Sequence, residues 1–176
     1  MENWDVIYKN NASKLLGVCR RYINDEQLAE DLMHNAFITA MNKISTYSGS
    51  GLFEAWLRKI VVNTVLLYLR ESKKMQISDT EQIENHPISD SETESEQTQK
   101  KIIEEAGFSQ QELLEIVDKL PLHHKTVFNL YVIDGYTHNE IGDLLKISGG
   151  TSKSHLARAR KKIQELLLEK AKRKIQ

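Results

Sequence analysis

Apolar residues recur at three- and four-residue spacing along most of the chain. Trp4, Ile7, Tyr8, Leu15, Val18, Cys19 and Tyr22 mark one face of a helix over about 3–22. Leu28, Leu32, Phe37, Ile38 and Met41 mark a second. It starts after Asn24, a good N-cap with Gln27 three residues on to complete a capping pattern, and runs to about Ile44. The stretch TYSGSG, residues 46–51, breaks that helix, and a third is predicted from Leu52 to about Lys74, with no Gly or Pro inside. The pattern then disappears. QISDTEQIENHPISDSETESEQTQ is polar, acidic and poor in large apolar residues, so it cannot bury enough surface to offset its ordering entropy. It is read as an extended, flexible linker over 76–105, with a helical start near Lys100.

Periodicity returns at Ser109, where Glu112 three residues later completes a capping box. Helices are predicted over about 110–119, 122–133, 138–146 and 149–172. Asp134-Gly135 ends the second of these, Thr137 with Glu140 caps the third, and Ser148 caps the last. No alternating strand pattern and no internal repeat is found. The expectation is an all-α chain: two small helical domains, 1–75 and 106–176, joined by the flexible acidic linker 76–105.

Composition changes this picture in one respect. The 176 residues are 40% hydrophobic and nearly neutral in net charge, which by itself argues against a nucleic-acid partner. The charge is segregated, however. From Lys146 to Gln176 there are ten Lys/Arg and two acids, and from Gln76 to Gln99 seven acids and no Lys or Arg. Cys19 stands alone, so it reads as a buried small hydrophobe and no disulfide is expected. The N-terminus lacks an apolar signal core and no apolar run spans a membrane, so a cytoplasmic location is expected. The six histidines show no metal-ligand spacing, and no nucleophile–base arrangement is found. The chain is therefore read as a non-enzyme without metal or cofactor.

The candidate chemistry lies in THNEIGDLLKISGGTSKSHLARARKKIQELL, which has helix, short turn, helix spacing. Within it, GGTSKS is not a phosphate-binding P-loop: Ser152 stands where that motif needs glycine, and the residues upstream are helical rather than strand-like. At about 100° per residue, Leu156, Ala159, Ile163 and Leu167 share one side of the last helix, while Ser154, Arg158 and Lys161 lie opposite, flanked by Ala157 and Lys153. Gly149 and Gly150 would let the amide-rich helix end approach a phosphate. Arginine can read guanine, serine can contact a base, and the remaining lysines, Lys162 among them, can neutralise phosphates. A solvated face normally mixes signs, and this one carries no glutamate. In the first half, the loop of Tyr47, Ser48 and Ser50 with its two glycines can approach a nucleotide closely. Arg58, Lys59 and Asn63 beside it can hold a strand, while Phe53, Trp56 and Tyr68 are spaced as packing residues.

Both halves resemble the extracytoplasmic-function group of sigma factors. AEDLMHNAFITAMNKISTYSGSGLFEAWLRKIVVNTVLLYLR is similar to that family's second conserved region, with Glu-Asp-Leu, Phe-x-x-Trp-Leu, a basic pair, Asn-Thr and Tyr-Leu-Arg. LPLHHKTVFNLYVIDGYTHNEIGDLLKISGGTSKSHLARARKK is similar to the fourth, with Leu-Pro, Asp-Gly-x-Thr, Glu-Ile, Ile-Ser, Gly-Thr-x-Lys-Ser and Arg-x-Arg. The resemblance implies a first domain that binds the β′ clamp of core RNA polymerase through Glu30, Asp31, His34 and Asn35. That domain would capture the melted −10 element through Tyr47, Ser48, Ser50, Arg58, Lys59 and Asn63. It implies a second domain that binds the β flap and reads the −35 element through Gly150, Thr151, Lys153, Ser154, His155, Ala157, Arg158, Lys161 and Lys162. The linker would thread toward the RNA exit path, and an anti-sigma factor is a further partner of the kind the family has. His34-Asn35, Val62, Leu67, His155 and Ala157 depart from the family's usual residues, as do Gly142 and Lys146 in the turn, where both are expected to be tolerated. Two other readings stay open: an autonomous helix-turn-helix regulator, and a helical adaptor that binds only protein.

Overall fold

The computed structural model describes residues 3–49, 51–72 and 94–175. The chain divides into two compact units, Met1–Gln76 and Ile77–Gln176. Residues 76–93, the larger part of the predicted linker, lie outside the described residues.

The first unit is three mutually packed helices, α1 (Trp4–Arg20), α2 (Glu26–Lys43) and α3 (Phe53–Glu71). Asn3 caps α1 through Val6 N–H. The cap of α2 is Asp25 rather than Asn24: its Oδ1 accepts from Leu28 N–H at 3.0 Å. A carboxylate gains from the positive end of the helix as well as from the hydrogen bond, so the helix begins one residue later than the sequence suggested. Gln27 then falls one place short of the capping-box position. On α2, Ala29, Ala36 and Ala40 are fully buried, and side chains that small let neighbouring helices approach closely. Leu57, Val61, Val65, Leu66 and Leu69 of α3 fill the space between. Cys19 is fully buried among them, and burial pushes its thiol up to about 12, so it stays protonated.

The second unit is organised around the long α8 (Gly149–Ile175). Packed on it are α4 (Glu94–Ala106), α5 (Gln110–Asp118), α6 (Leu122–Phe128) and α7 (His138–Leu145). Helix α4 starts inside the segment read as linker and six residues before the predicted helical start at Lys100. Its contact with α8 supplies what local composition lacked, a surface for Ile102 and Ile103 to cover partly. The capping boxes of Ser109 with Glu112 and of Thr137 with Glu140 are both formed. The helix predicted over 122–133 is α-helical only to Phe128 and widens into a π turn at Asn129–Ile133, closed by Asp134 N–H donating to Asn129 C=O at 2.9 Å. Asn129 and Leu130 stay buried, while Tyr131, Val132 and Ile133 turn partly to solvent. Lys125 of α6 is almost fully buried, and its ammonium lies 2.8 Å from the half-exposed carboxylate of Asp118.

Candidate nucleic-acid interface

In the second unit, α7 and α8 form the predicted helix-turn-helix. The turn closes on Gly142: Ile147 N–H donates to Gly142 C=O at 3.1 Å, and a Cβ at 142 would lie 2.8 Å from the Ile147 carbonyl oxygen. Glycine is thus required here rather than merely tolerated. Lys146 follows at φ 60, a left-handed conformation that costs a side-chain-bearing residue about 1 kcal/mol. Ser148 then caps α8, its Oγ accepting from Thr151 N–H at 3.0 Å.

The first turn of α8 is tied to α7 by a part-buried polar contact. Ser152 is fully buried, and its Oγ pairs with His138 Nδ1 at 2.9 Å. The His138 ring stacks on Tyr131 with centroids 4.5 Å apart. Desolvation, helped by the cations of Lys153 and Arg160, holds His138 below the usual histidine range and favours the neutral ring. Sequence reasoning passed over this pair because neither residue is apolar, although Ser152 is buried and His138 half-buried against it.

Of the residues assigned to duplex DNA, Gly150, Lys153, Ala157, Lys161 and Lys162 are exposed, and Thr151, Ser154 and Arg158 are half-buried. The outward face is therefore centred near Ala157 and Lys161. Arg158 lies toward its edge, lining a shallow depression with Pro121, His124, Lys161, Lys162 and Glu165. Lys162 Nζ reaches Glu165 at 3.3 Å. His155 is a correction. It is 2% exposed, with the His124 ring centroid 5.2 Å from its own, so it belongs to the core and not to the DNA-facing set. The buried arc of α8 is wider than its aliphatic stripe and takes in Ser152 and His155 beside Leu156 and Ala159. Arg160, which the assigned set omitted, is exposed. Its place seven residues after Lys153 puts it on the same face and was legible in the sequence.

The basic excess at the C-terminus is also divided. Lys170 pairs with Glu112 and Glu115, and Arg173 with Glu169. Lys174 Nζ sits 2.9 Å from Glu112, donates to Gly107 C=O at 2.8 Å and lies over the Phe108 ring. The hydrogen bonds from Lys174 and from Ser109 N–H, with Lys170 nearby, lower the Glu112 carboxyl to about 2. Lys170 and Lys174 fasten the end of α8 to the start of α5 through Glu112, while Arg173 pairs within α8.

In the first unit, the loop before α3 is built on an aromatic cluster. Tyr47 and Phe53 have centroids 5.4 Å apart, Tyr47 and Trp56 5.5 Å, and Phe53 and Trp56 5.4 Å, with Trp4 of α1 beside Phe53. Phe53 and Trp56 pack, as their spacing suggested, but pack with Tyr47 into a half-buried platform. The Tyr47 hydroxyl donates to Gly51 C=O at 2.7 Å and closes the loop. Gly49 and Gly51 have φ of 75 and 108, with open space where a Cβ would stand. Ser48 is exposed, Arg58 half-buried, Lys59 and Asn63 exposed, and Ser50 lies outside the described residues. Val62 is in the core and Leu67 is half-exposed.

On α2, Asp31, His34 and Asn35 are exposed and Glu30 is half-buried. The Tyr8 hydroxyl lies 2.8 Å from His34 Nε2, and the two rings stack, so His34 is held against α1 at the edge of this acidic face. Among the described residues, no group of three or more His, Cys, Asp or Glu is placed to hold a metal ion, and no helix is long and apolar enough to cross a membrane.

Comparison with known proteins agrees with this layout. Residues 7–75 match the family described as Sigma-70 region 2, and residues 110–163 match Sigma-70, region 4. The RNA polymerase sigma-H factor of Pseudomonas aeruginosa is 25% identical, over 93% of this chain and 86% of its own. The ECF RNA polymerase sigma factor SigW of Bacillus subtilis is 27% identical, over 92% and 85%. A solved structure of the sigma factor RpoE in complex with the anti-sigma factor NepR, from Bartonella quintana, shares the fold with a TM-score of 0.56 at 20% identity, covering 95% of this chain and 98% of that one.

Proposed function

Because the chain belongs to the extracytoplasmic-function group of sigma-70 factors, we propose a residue-level division of labour between its two units. The protein is an RNA polymerase sigma factor: it binds core polymerase, recognises promoter DNA and directs transcription initiation. It is a DNA-binding initiation factor and polymerase performs the chemistry, in the cytoplasm where that enzyme works.

The observation that carries this reading is the presence of both region matches in one chain, in order, with a cation-faced helix-turn-helix in the second. In the proposed division, Gly150 and Thr151 bring the start of α8 to a phosphate. Ser154, Ala157 and Arg158 face bases of the −35 element, and Lys153, Arg160, Lys161 and Lys162 neutralise the backbone. In the first unit, Tyr47, Ser48 and Ser50 receive a base of the −10 element after melting, and Arg58, Lys59 and Asn63 hold the strand. Glu30, Asp31, His34 and Asn35 face the β′ clamp, the second unit meets the β flap, and the segment between the units follows the RNA exit path. Control by an anti-sigma factor fits the family.

Run-off transcription with purified core polymerase on a promoter panel tests the assignment. Discrete transcripts that require both core and this chain are expected. A chain that yields no specific transcript with core, yet alone footprints a palindromic operator, would instead be an autonomous regulator.

A further inference from the structure

Histidine is unevenly placed in this protein. The first unit holds one, the exposed His34. In the second, three imidazoles meet where α6 packs on α8: the His155 ring centroid lies 5.2 Å from that of His124 and 6.2 Å from that of His123. A proton on any of them is costly, for a different reason each time. His155 is 2% exposed, so its charge would stand in the interior. Nδ1 of His123 is buried with no hydrogen-bond partner, so an added N–H there would find no acceptor. His124 stands with His123 in the first turn of α6, which has no acidic residue and no side-chain cap, and a positive charge is least favourable at that end of a helix. The surroundings do not compensate. The depression that His124 lines sets Arg158, Lys161 and Lys162 against the carboxylate of Glu165, which already lies 3.3 Å from Lys162. Lys125 of α6 is a further cation, and its carboxylate, Asp118, is 2.8 Å away on α5. On the α7 side, His138 has the cations of Lys153 and Arg160 near it. Uncharged, the three rings simply pack.

We propose that His123, His124 and His155 form an acid-sensitive latch between α6 and α8, closed while the rings are neutral and opened by protonation. It gives the second unit a pH threshold that the first lacks. In an unfolded chain a histidine takes up its proton near about pH 6.5. In the folded unit the buried ring does so only if the seam opens, so the unfolded form binds more protons. The latch therefore contributes its full stability above about pH 6.5 and loses it as pH falls below that value. Helix α8 carries both His155 and the exposed cations Lys153 and Lys161, so opening the seam removes the support beneath that cationic face. The inference concerns the stability of the second unit and holds whichever partner that face meets.

The test is a series of thermal melts of the full chain from about pH 8 to about pH 5.5, across the histidine range. Circular dichroism follows both units, and the fluorescence of Trp4 and Trp56 follows the first. One proton withheld from the folded unit over one pH unit lowers its melting temperature by roughly 4–8 °C, and the fluorescence transition should move far less. His138→Gln removes the titrating ring on the α7 side, and the decline should persist in that background. Adding His155→Leu or His155→Gln should then remove most of it, whatever the melting temperature at neutral pH. Nuclear magnetic resonance of histidine-labelled wild-type protein needs no variant. The His155 Cε1–H signal should keep its neutral-ring position at about pH 6 for as long as the second unit is folded. A His155 signal that titrates within the folded unit overturns the latch. So does a pH dependence left unchanged when His155 is replaced.

Discussion

Replacing Asp118 by Asn should destabilise the second unit through a side chain on another helix. Lys125 is 3% exposed and its ammonium lies 2.8 Å from Asp118, which is 54% exposed. Removing one partner of a deeply buried pair costs about 3–5 kcal/mol, because the other charge is left facing the interior. Water reaches Asp118 and screens part of that attraction, so about 2 kcal/mol is expected. For a unit of this size that is a fall in Tm of roughly 8–16 °C. Lys125→Met keeps the stem and removes the charge, and it should be neutral or stabilising. Combined with Lys125→Met, Asp118→Asn should add nothing further. The chain provides its own control, since both tryptophans, Trp4 and Trp56, lie in the first unit. Circular dichroism in urea follows both units, and tryptophan fluorescence follows the first. The fluorescence transition should not move. The reasoning is refuted if Asp118→Asn costs under about 0.5 kcal/mol, or if Lys125→Met costs as much as Asp118→Asn.

Arg158→Ala should cost about 1–3 kcal/mol at one position of the −35 element and relax selectivity there, whereas Lys162→Ala should weaken all promoters alike and reduce the salt slope by about one. Equal, sequence-blind losses in a binding titration would make Arg158 a phosphate contact. His155→Ala should leave promoter preference unchanged while lowering the second unit's stability in thermal melts by about 1–3 kcal/mol, as expected of a core residue. Gly142→Ala brings a methyl group to 2.8 Å from the Ile147 carbonyl and should cost about 1–3 kcal/mol in denaturant titrations, with weakened −35 binding. Glu112 has a folded-state pKa of about 2 against an ordinary 4.5, so its stabilisation is present above about pH 4.5 and is lost as pH falls toward 2. Acid titration of Glu112→Gln should lack that component of the decline.

Much of this protein follows from interactions a few residues long. The capping boxes at Ser109 and Thr137, the glycine-serine break before α3 and the helical period of each segment are local, so sequence alone places those elements. The same locality made Lys153, Ala157 and Lys161 legible as an outward face. Sequence could not show which residues the neighbouring helices cover. His155 and Ser152 are buried because α6 and α7 close over that side of α8, and no periodicity of apolar residues marks a polar core contact. Helix α4 depends on α8 for a packing surface that its own composition does not imply. Lys174 and Glu112 are 62 residues apart in sequence and 2.9 Å apart in space. A charge count along the chain therefore reads as one basic tail what folding divides into a clamp on Glu112 and an exposed cationic face at Lys153, Arg160 and Lys161. The platform of Trp4, Tyr47, Phe53 and Trp56 comes together for the same reason. Local chemistry sets where helices begin and end, and tertiary packing decides which polar and charged groups are left for a partner.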